Sequence, residues 1–416
     1  MTATRSLNRD RVFTLYWSAV TTSGLSGAYA ALLLPLLVLR YTGSLAQMGL
    51  VTAASTAVGV VATVAAGPLV DRLDRPRLML VCDLVRVVLF AALAVTWAVA
   101  PQMWLLYVCA AVSAGMAITF RVAHVTLVPV LVSSGQIVAA NSRLEATGSL
   151  AILGGPLLAG VAVSTIGPAT ALSVNVLLLL WSALAVWLIR RPSRAGQEAN
   201  AGQGERQNWW RSYRTGWRFL WGQPVLRWLM VLLTLLTFVT APAEVVLIYF
   251  LTDELGADSG TVGLILSLAG LGGLLAAVVT PYLRRRLGFA ASWFGAFAIV
   301  SAGLASISLT SSIWAIGVVA VAFIFGISVA GICSMSLRQQ ITPGHLLGRV
   351  TALFWAATTS LAPAGTAILT ALATTYGVRT VTAVAGFLCL AVLALALLTP
   401  LRSREPAPAE ERTADE

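Results

Sequence analysis

The residues with chemistry to offer are few. Asp83 and Arg86 stand three apart in a stretch that then runs uncharged to Phe120, and Glu244 interrupts the apolar run TLLTFVTAPAEVVLIYFL beside Pro242. Residues three apart meet on a helix surface, so Asp83 and Arg86 can pair with each other. In a second arrangement the arginine switches to Asp71 or Glu145. A carboxyl group in apolar surroundings can exchange a proton, hold a cationic molecule or bond to a neighbouring helix, and Glu244 is open to all three. A third set, GPLVDRLDR, places Gly67, Asp71, Arg72 and Arg75 in a charged hinge between two apolar runs.

Other chemistries find no footing. His124 and His345 are the only histidines, and no nucleophile stands with a base. Cys82, Cys109, Cys333 and Cys389 are scattered singly, without disulfide or metal-site spacing. All 27 basic residues are arginine, so a GxxxxGK[ST] phosphate loop cannot exist. No cofactor or metal is expected, and an enzyme is the least supported reading.

The elements that position these residues are membrane helices. Of 416 residues, 58% are hydrophobic and 10% charged, against about 25% charged in soluble domains. Residues 12–39 and 41–70 carry no charge; 87–120 and 146–189 each hold two spans, broken near Pro101 and at Gly167-Pro168. Fitting two spans into 87–120 draws Asp83 and Arg86 into the third helix, since a span needs about 20 residues. Further spans follow Arg227, at 259–283, twice within 287–337, at 350–378 and at 380–401. The expectation is an all-α integral membrane protein of twelve transmembrane helices. The first apolar run reaches Leu39, too long for a signal peptide, and is read as an uncleaved helix.

With the N-terminus inside, twenty-three arginines fall in inner segments, two (Arg40 and Arg379) in outer loops, and two (Arg86 and Arg227) in spans. That bias orients both termini to the cytoplasm of a cell membrane. It also accounts for the +11 charge without nucleic acid; the basic segments face membrane lipid. The chain divides into an N-terminal six-helix half, 1–190, a cytoplasmic linker, 191–224, a C-terminal half, 225–401, and a polar tail, 402–416, read as disordered. In the linker, Trp209, Trp210, Tyr213, Trp217 and Trp221 alternate with Arg211, Arg214 and Arg218, the composition of an interfacial amphipathic helix. The halves repeat weakly: GPLVDRLDR (67–75) aligns with TPYLRRRLG (280–288), and Pro156 falls opposite Pro363.

GxxxDRxxR between two spans resembles the signature loop of the major facilitator superfamily, with Asp74 and Pro76 departing from the pattern. The resemblance implies two pseudo-symmetric six-helix halves that rock about a central site. It makes Gly67, Asp71, Arg72 and Arg75 a latch that docks near Gly348 and Arg349. Gly154, Gly155, Pro156 and Gly160 resemble the Gly-Pro motif of antiporters on the fifth helix, and QQITPGHLLGRVTAL (339–353) resembles the drug-exporter branch that includes macrolide and siderophore exporters. Candidate cavity walls are Tyr29, Met116, Phe120, Phe238, Tyr249, Phe323, Phe325, Phe354 and Trp355, because aromatic faces accept varied flat or cationic molecules. The first expectation is a proton-coupled exporter of small organic molecules, acting as a monomer, with Glu244, Asp83 and Arg86 in coupling or substrate contact. A lipid or lysolipid flippase on the same fold, and a membrane sensor that does not transport, are the alternatives.

Overall fold

The apolar runs become helices because a chain in hydrocarbon must satisfy its backbone hydrogen bonds internally. The computed structural model describes residues 11–132, 136–189 and 209–403. The expected tail from 404 onward, and the linker before Trp209, lie outside the described residues. Six helices come first: α1 (Arg11–Thr42), α2 (Leu45–Arg72), α3 (Arg75–Val99), α4 (Met103–Leu131), α5 (Ile137–Thr165) and α6 (Pro168–Ile189). Next are α7 (Trp209–Gly222), α8 (Pro224–Thr240), α9 (Ala243–Tyr249) with a π-helical turn over Phe250–Glu254, and α10 (Ser259–Ile307). The last are α11 (Ile313–Ile341), α12 (Gly344–Thr359), α13 (Ala362–Tyr376) and α14 (Val378–Ala396). No strand occurs among the described residues.

Eleven stretches are long and apolar enough to cross a membrane. One of them, α10, has 49 residues. At about 1.5 Å per residue it is more than twice the hydrocarbon thickness of about 30 Å. It turns at Gly288, whose φ of 79° and ψ of −175° leave the helical region; a side chain would strain that conformation. This one residue stands where a loop between two spans was expected, and the spans number twelve. The seventh span is built differently. Pro242 ends α8 and α9 restarts after it, because a proline ring cannot continue the backbone ladder.

The chain divides into two units. The first holds residues 1–43, 54–204 and 258–267, and the second holds 44–53, 205–257 and 268–416. In the first, α1 packs on α5, α6 and α4, and α3 packs between α4 and α6. Tyr16, Met79, Phe90, Cys82 and Cys109 are buried there. In the second, α8 packs on α12, α13 and α14, and α7 lies along α12. Trp293 centres that core, stacked with Phe289 and edge-on to Phe297, with its indole N–H donating to Ser334 Oγ at 3.2 Å. Cys333 and Cys389 are buried beside it. At the start of α14, Arg379 donates to Glu254 and Ser311 and lies over the Phe250 ring.

Small residues set the closest helix approaches. Gly365 of α13 lies against the backbone of Phe238 on α8, and Gly49 lies against Thr370. In the first unit, Gly160 of α5 meets the Ser259 backbone at the start of α10, and Arg40 donates to Ser259 Oγ at 3.0 Å. Asp258 begins α10, accepting from the Thr261 hydroxyl and the Gly260 N–H; these bonds hold its carboxyl below the usual range.

A side chain at Gly365 has no room without moving the seventh span. Gly365→Val is expected to lower stability by about 1–3 kcal/mol, the usual cost of overpacking. Gly295→Ala, where a methyl meets nothing within 4 Å, is expected to leave the melting temperature unchanged. Thermal unfolding of the purified variants decides, and equal melting of the two would refute the close-packing argument.

Candidate functional site

Asp83 and Arg86 form the polar centre of the first unit. They lie one turn apart on α3, are 0% and 1% exposed, and pair at 3.3 Å between Oδ1 and Nη1. Three serines from two other helices complete the arrangement. On α1, Ser23 donates to Asp83 Oδ1 at 3.1 Å and accepts from Arg86 Nη1 at 2.9 Å, and Ser26 accepts from Nη2 at 3.2 Å. On α6, Ser182 Oγ lies 2.5 Å from Asp83 Oδ2 and 3.0 Å from the Ala19 carbonyl.

Ser182 has one proton and two acceptors within reach. With Asp83 ionised, the hydroxyl donates to the carboxylate. With Asp83 protonated, the acid can donate to Ser182 and the hydroxyl turns to Ala19. The network therefore offers partners in both charge states, which a proton-holding site needs. It also binds α1, α3 and α6 together, so the same contacts support the simpler structural pairing. The charge pair was visible in sequence; the serines were not.

Glu244 has a different setting. It sits in the first turn of α9, just past Pro242, and its side chain is exposed although Val245, Val246, Leu247 and Ile248 after it are buried. Among the described residues it has no ion-pair or hydrogen-bond partner. The helix break therefore places within a span a carboxyl group with no partner among the described residues, open to a proton or a cation.

The signature loop is short: α2 ends at Arg72 and α3 begins at Arg75. Asp74 caps α3 without a side-chain hydrogen bond and pairs with Arg77 at 3.2 Å. Both are substantially exposed, so the pair contributes little. The side chains of Gly67, Asp71 and Arg72 lie outside the described residues, as do those of Glu145 and Gly348. Arg349 is described on α12, where Gly216 of α7 approaches it closely: a Cβ there would stand 3.3 Å from Arg349 Cβ. The amphipathic helix thus sits on the segment to which the latch was expected to dock. Its Trp217 and Trp221 rings stack 5.5 Å apart on the exposed face.

In the Gly-Pro motif, Gly155 lies against the Ala28–Tyr29 backbone of α1 and Gly160 against Ser259, while a Cβ on Gly154 meets nothing within 4 Å; Pro156 sits inside α5. The aromatic candidates separate. Tyr29 is buried with its hydroxyl on the Ala171 carbonyl at 2.9 Å, and Phe120 and Phe354 are buried in the cores of their own units. Met116, Phe238, Phe323 and Phe325 are half-buried at the edges of those cores, Tyr249 is half-buried, and Trp355 is exposed. The charge bias counts Arg338 among the inner-segment arginines; the structure buries it on α11 under Phe354 and Trp355. Among the described residues no three of His, Cys, Asp and Glu gather as a metal site.

Removing one partner of a buried pair strands the other, at a cost of about 3–5 kcal/mol. Asp83→Leu is therefore expected to melt far below the wild type, and Asp83→Leu with Arg86→Met is expected to recover most of the loss. A double variant no more stable than the single would show that the two charges do not act as one unit.

Comparison with known proteins agrees with this geometry. The chain is 29% identical over 365 residues to the multidrug efflux pump Tap of Mycolicibacterium fortuitum, covering 83% of this chain and 85% of the pump. It is 28% identical over 251 residues to ferreportin of Bdellovibrio bacteriovorus, 56% of each chain. Among solved structures, the nucleoside transporter NupG superposes with a TM-score of 0.77 at 13% identity, over 94% of this chain and 98% of that one. A bacterial homologue of the iron transporter ferroportin in its inward-facing state gives 0.68 at 21% identity, over 94% and 99%. At such identities the two structures speak for the fold alone. The sequence model of the Major Facilitator Superfamily matches residues 16–365, and on twelve spans, signature loop and that match together, this chain belongs to the Major Facilitator Superfamily.

Proposed function

We propose that this transporter is a proton-coupled exporter of small organic molecules, working by alternating access. The observation that carries the reading is Glu244: an exposed carboxyl group in a membrane span, beside a helix break and without a partner among the described residues. Intramembrane acids of this kind mark proton and substrate paths. The likeness to a multidrug efflux pump over most of both chains supports export as the direction. Asp83, with hydrogen-bond partners for either charge state, is the second proton-holding candidate. The arginine distribution supports a cell-membrane location with both termini inside, and Asp71, Arg72 and Arg75 are proposed as the cytoplasmic latch.

A bacterial host deleted for its own pumps is expected to accumulate less ethidium when it carries this gene, and an uncoupler that dissipates the proton gradient is expected to abolish the difference. No difference in accumulation across several cationic dyes would count against organic export. In proteoliposomes, Glu244→Gln is expected to abolish uphill export while retaining downhill counterflow. Full proton-driven export by that variant would remove Glu244 from coupling and turn the test to Asp83→Asn. Weakened binding of cations alone would make Glu244 a substrate contact instead.

A further inference from the structure

The second unit buries an arginine that no described carboxylate neutralises. Arg338 lies one turn before the end of α11 and is 1% exposed. Among the described residues its Nε and Nη1 have no hydrogen-bond partner, and Nη2 reaches the Met335 thioether sulfur at 3.1 Å, a weak acceptor. Its guanidinium carbon lies 4.1 Å from the ring centre of Phe354 and 5.4 Å from that of Trp355, both on α12. The described acids of this unit are Glu244, Asp253 and Glu254. They belong to the outer part of the seventh span, whereas Arg338 closes its own span at the inner end. Among the described residues no carboxylate pairs with it.

Two more polar atoms on the same helix–turn–helix lack partners: Thr342 Oγ1 and Thr351 Oγ1. Thr342 ends α11, its N–H bonded to the Arg338 carbonyl at 3.0 Å. Thr351 precedes Phe354 and Trp355 by three and four residues, which puts it on their face of α12. Neighbouring threonines behave otherwise. Thr358, Thr366 and Thr370 return their hydroxyls to the carbonyl four residues back. Among the described residues of this unit, Gln223 Oε1 and Arg284 Nη1 are also buried without a hydrogen bond, but Arg338, Thr342 and Thr351 alone fall together on one helix–turn–helix. Aromatic faces recover part of the cost of burying a cation, but a guanidinium without an acceptor remains costly. Charges kept within a membrane span are ordinarily kept for a ligand or a partner.

We infer that the α11–α12 turn binds the carboxylate of a small aromatic acid. The planar guanidinium takes the two carboxylate oxygens as a fork. The hydroxyls of Thr342 and Thr351 donate to their remaining lone pairs. The Trp355 ring, 51% exposed, stacks on the apolar part of the molecule. The Phe354 and Trp355 rings beside the guanidinium favour an aromatic carboxylate over inorganic phosphate, which has no apolar part to stack on them. Calling such an acid cargo rests on the exporter reading, but its binding does not, so failure to bind and failure to transport are separate outcomes.

The test is calorimetric titration of the purified full chain in detergent with 2-naphthoate, the neutral 2-naphthamide and inorganic phosphate. The wild type is expected to bind naphthoate at least about tenfold more tightly than naphthamide, with phosphate a poor competitor. Arg338→Met replaces an unpaired buried charge by an apolar side chain of similar reach, which removes the cost of burying that charge. It is expected to keep its melting temperature and to lose the preference for the acid. Arg338→Lys, which keeps the charge but not the fork, is expected to fall between, and Thr351→Val to weaken naphthoate while sparing naphthamide. Equal affinity for acid and amide in the wild type would overturn the inference. So would an Arg338→Met variant that keeps the preference, or one that melts well below wild type and loses both ligands together. Phosphate that displaces naphthoate at equal concentration would overturn the choice of a carboxylate.

Discussion

Hydrocarbon gives a buried polar group no water to fall back on, and most of this structure follows from that. Backbone groups are satisfied within helices. A charge must either find its partner inside the protein or stand where something else can supply one. The first unit takes the former course. Asp83 and Arg86 neutralise each other, and Ser23, Ser26 and Ser182 fill much of the remaining hydrogen-bonding capacity. Three helices converge on that cluster, so its polarity also fixes their register.

The second unit takes the latter course twice. Glu244 is exposed within its span and Arg338 is buried without an acid among the described residues. The two stand on different spans of the unit, Glu244 after the Pro242 break and Arg338 near the end of α11, one turn from the Ser334 that Trp293 contacts. An acceptor is wanted at Arg338 and a proton or cation at Glu244. The asymmetry agrees with the sequence repeat, in which Asp71 falls opposite Arg284: the halves share a backbone plan but divide the electrostatic work unequally.

The gaps between charges made the twelve spans legible before any coordinates, because membrane thickness sets a minimum apolar length that a sequence cannot disguise. The break at Gly288 was less so: the chain turns between two spans on one residue, and only a positive φ reveals it. Asp83, Arg86 and Glu244 stood out as charges in apolar company. Their surroundings did not, since a serine in a membrane helix is unremarkable until three of them, from two helices, close around one charge pair. Arg338 was misplaced for a physical reason. An arginine just ahead of a Thr-Pro turn is what an inner loop usually shows, and its burial depends on Phe354 and Trp355 folding back across that turn. Close approaches such as Gly160 on Ser259 join residues far apart in the chain and leave no local trace.

The buried thiols have a practical consequence. Cys82, Cys109, Cys333 and Cys389 are all enclosed by their own units, and the sequence has no lysine. Water-soluble maleimides and succinimidyl esters thus meet no exposed side-chain target among the described residues. A cysteine introduced at an exposed position such as Tyr41 or Leu309 would be the dominant labelling site against a silent background. Accessibility, spin-label distance and single-molecule fluorescence can therefore be read on the native chain without first stripping it of its own cysteines.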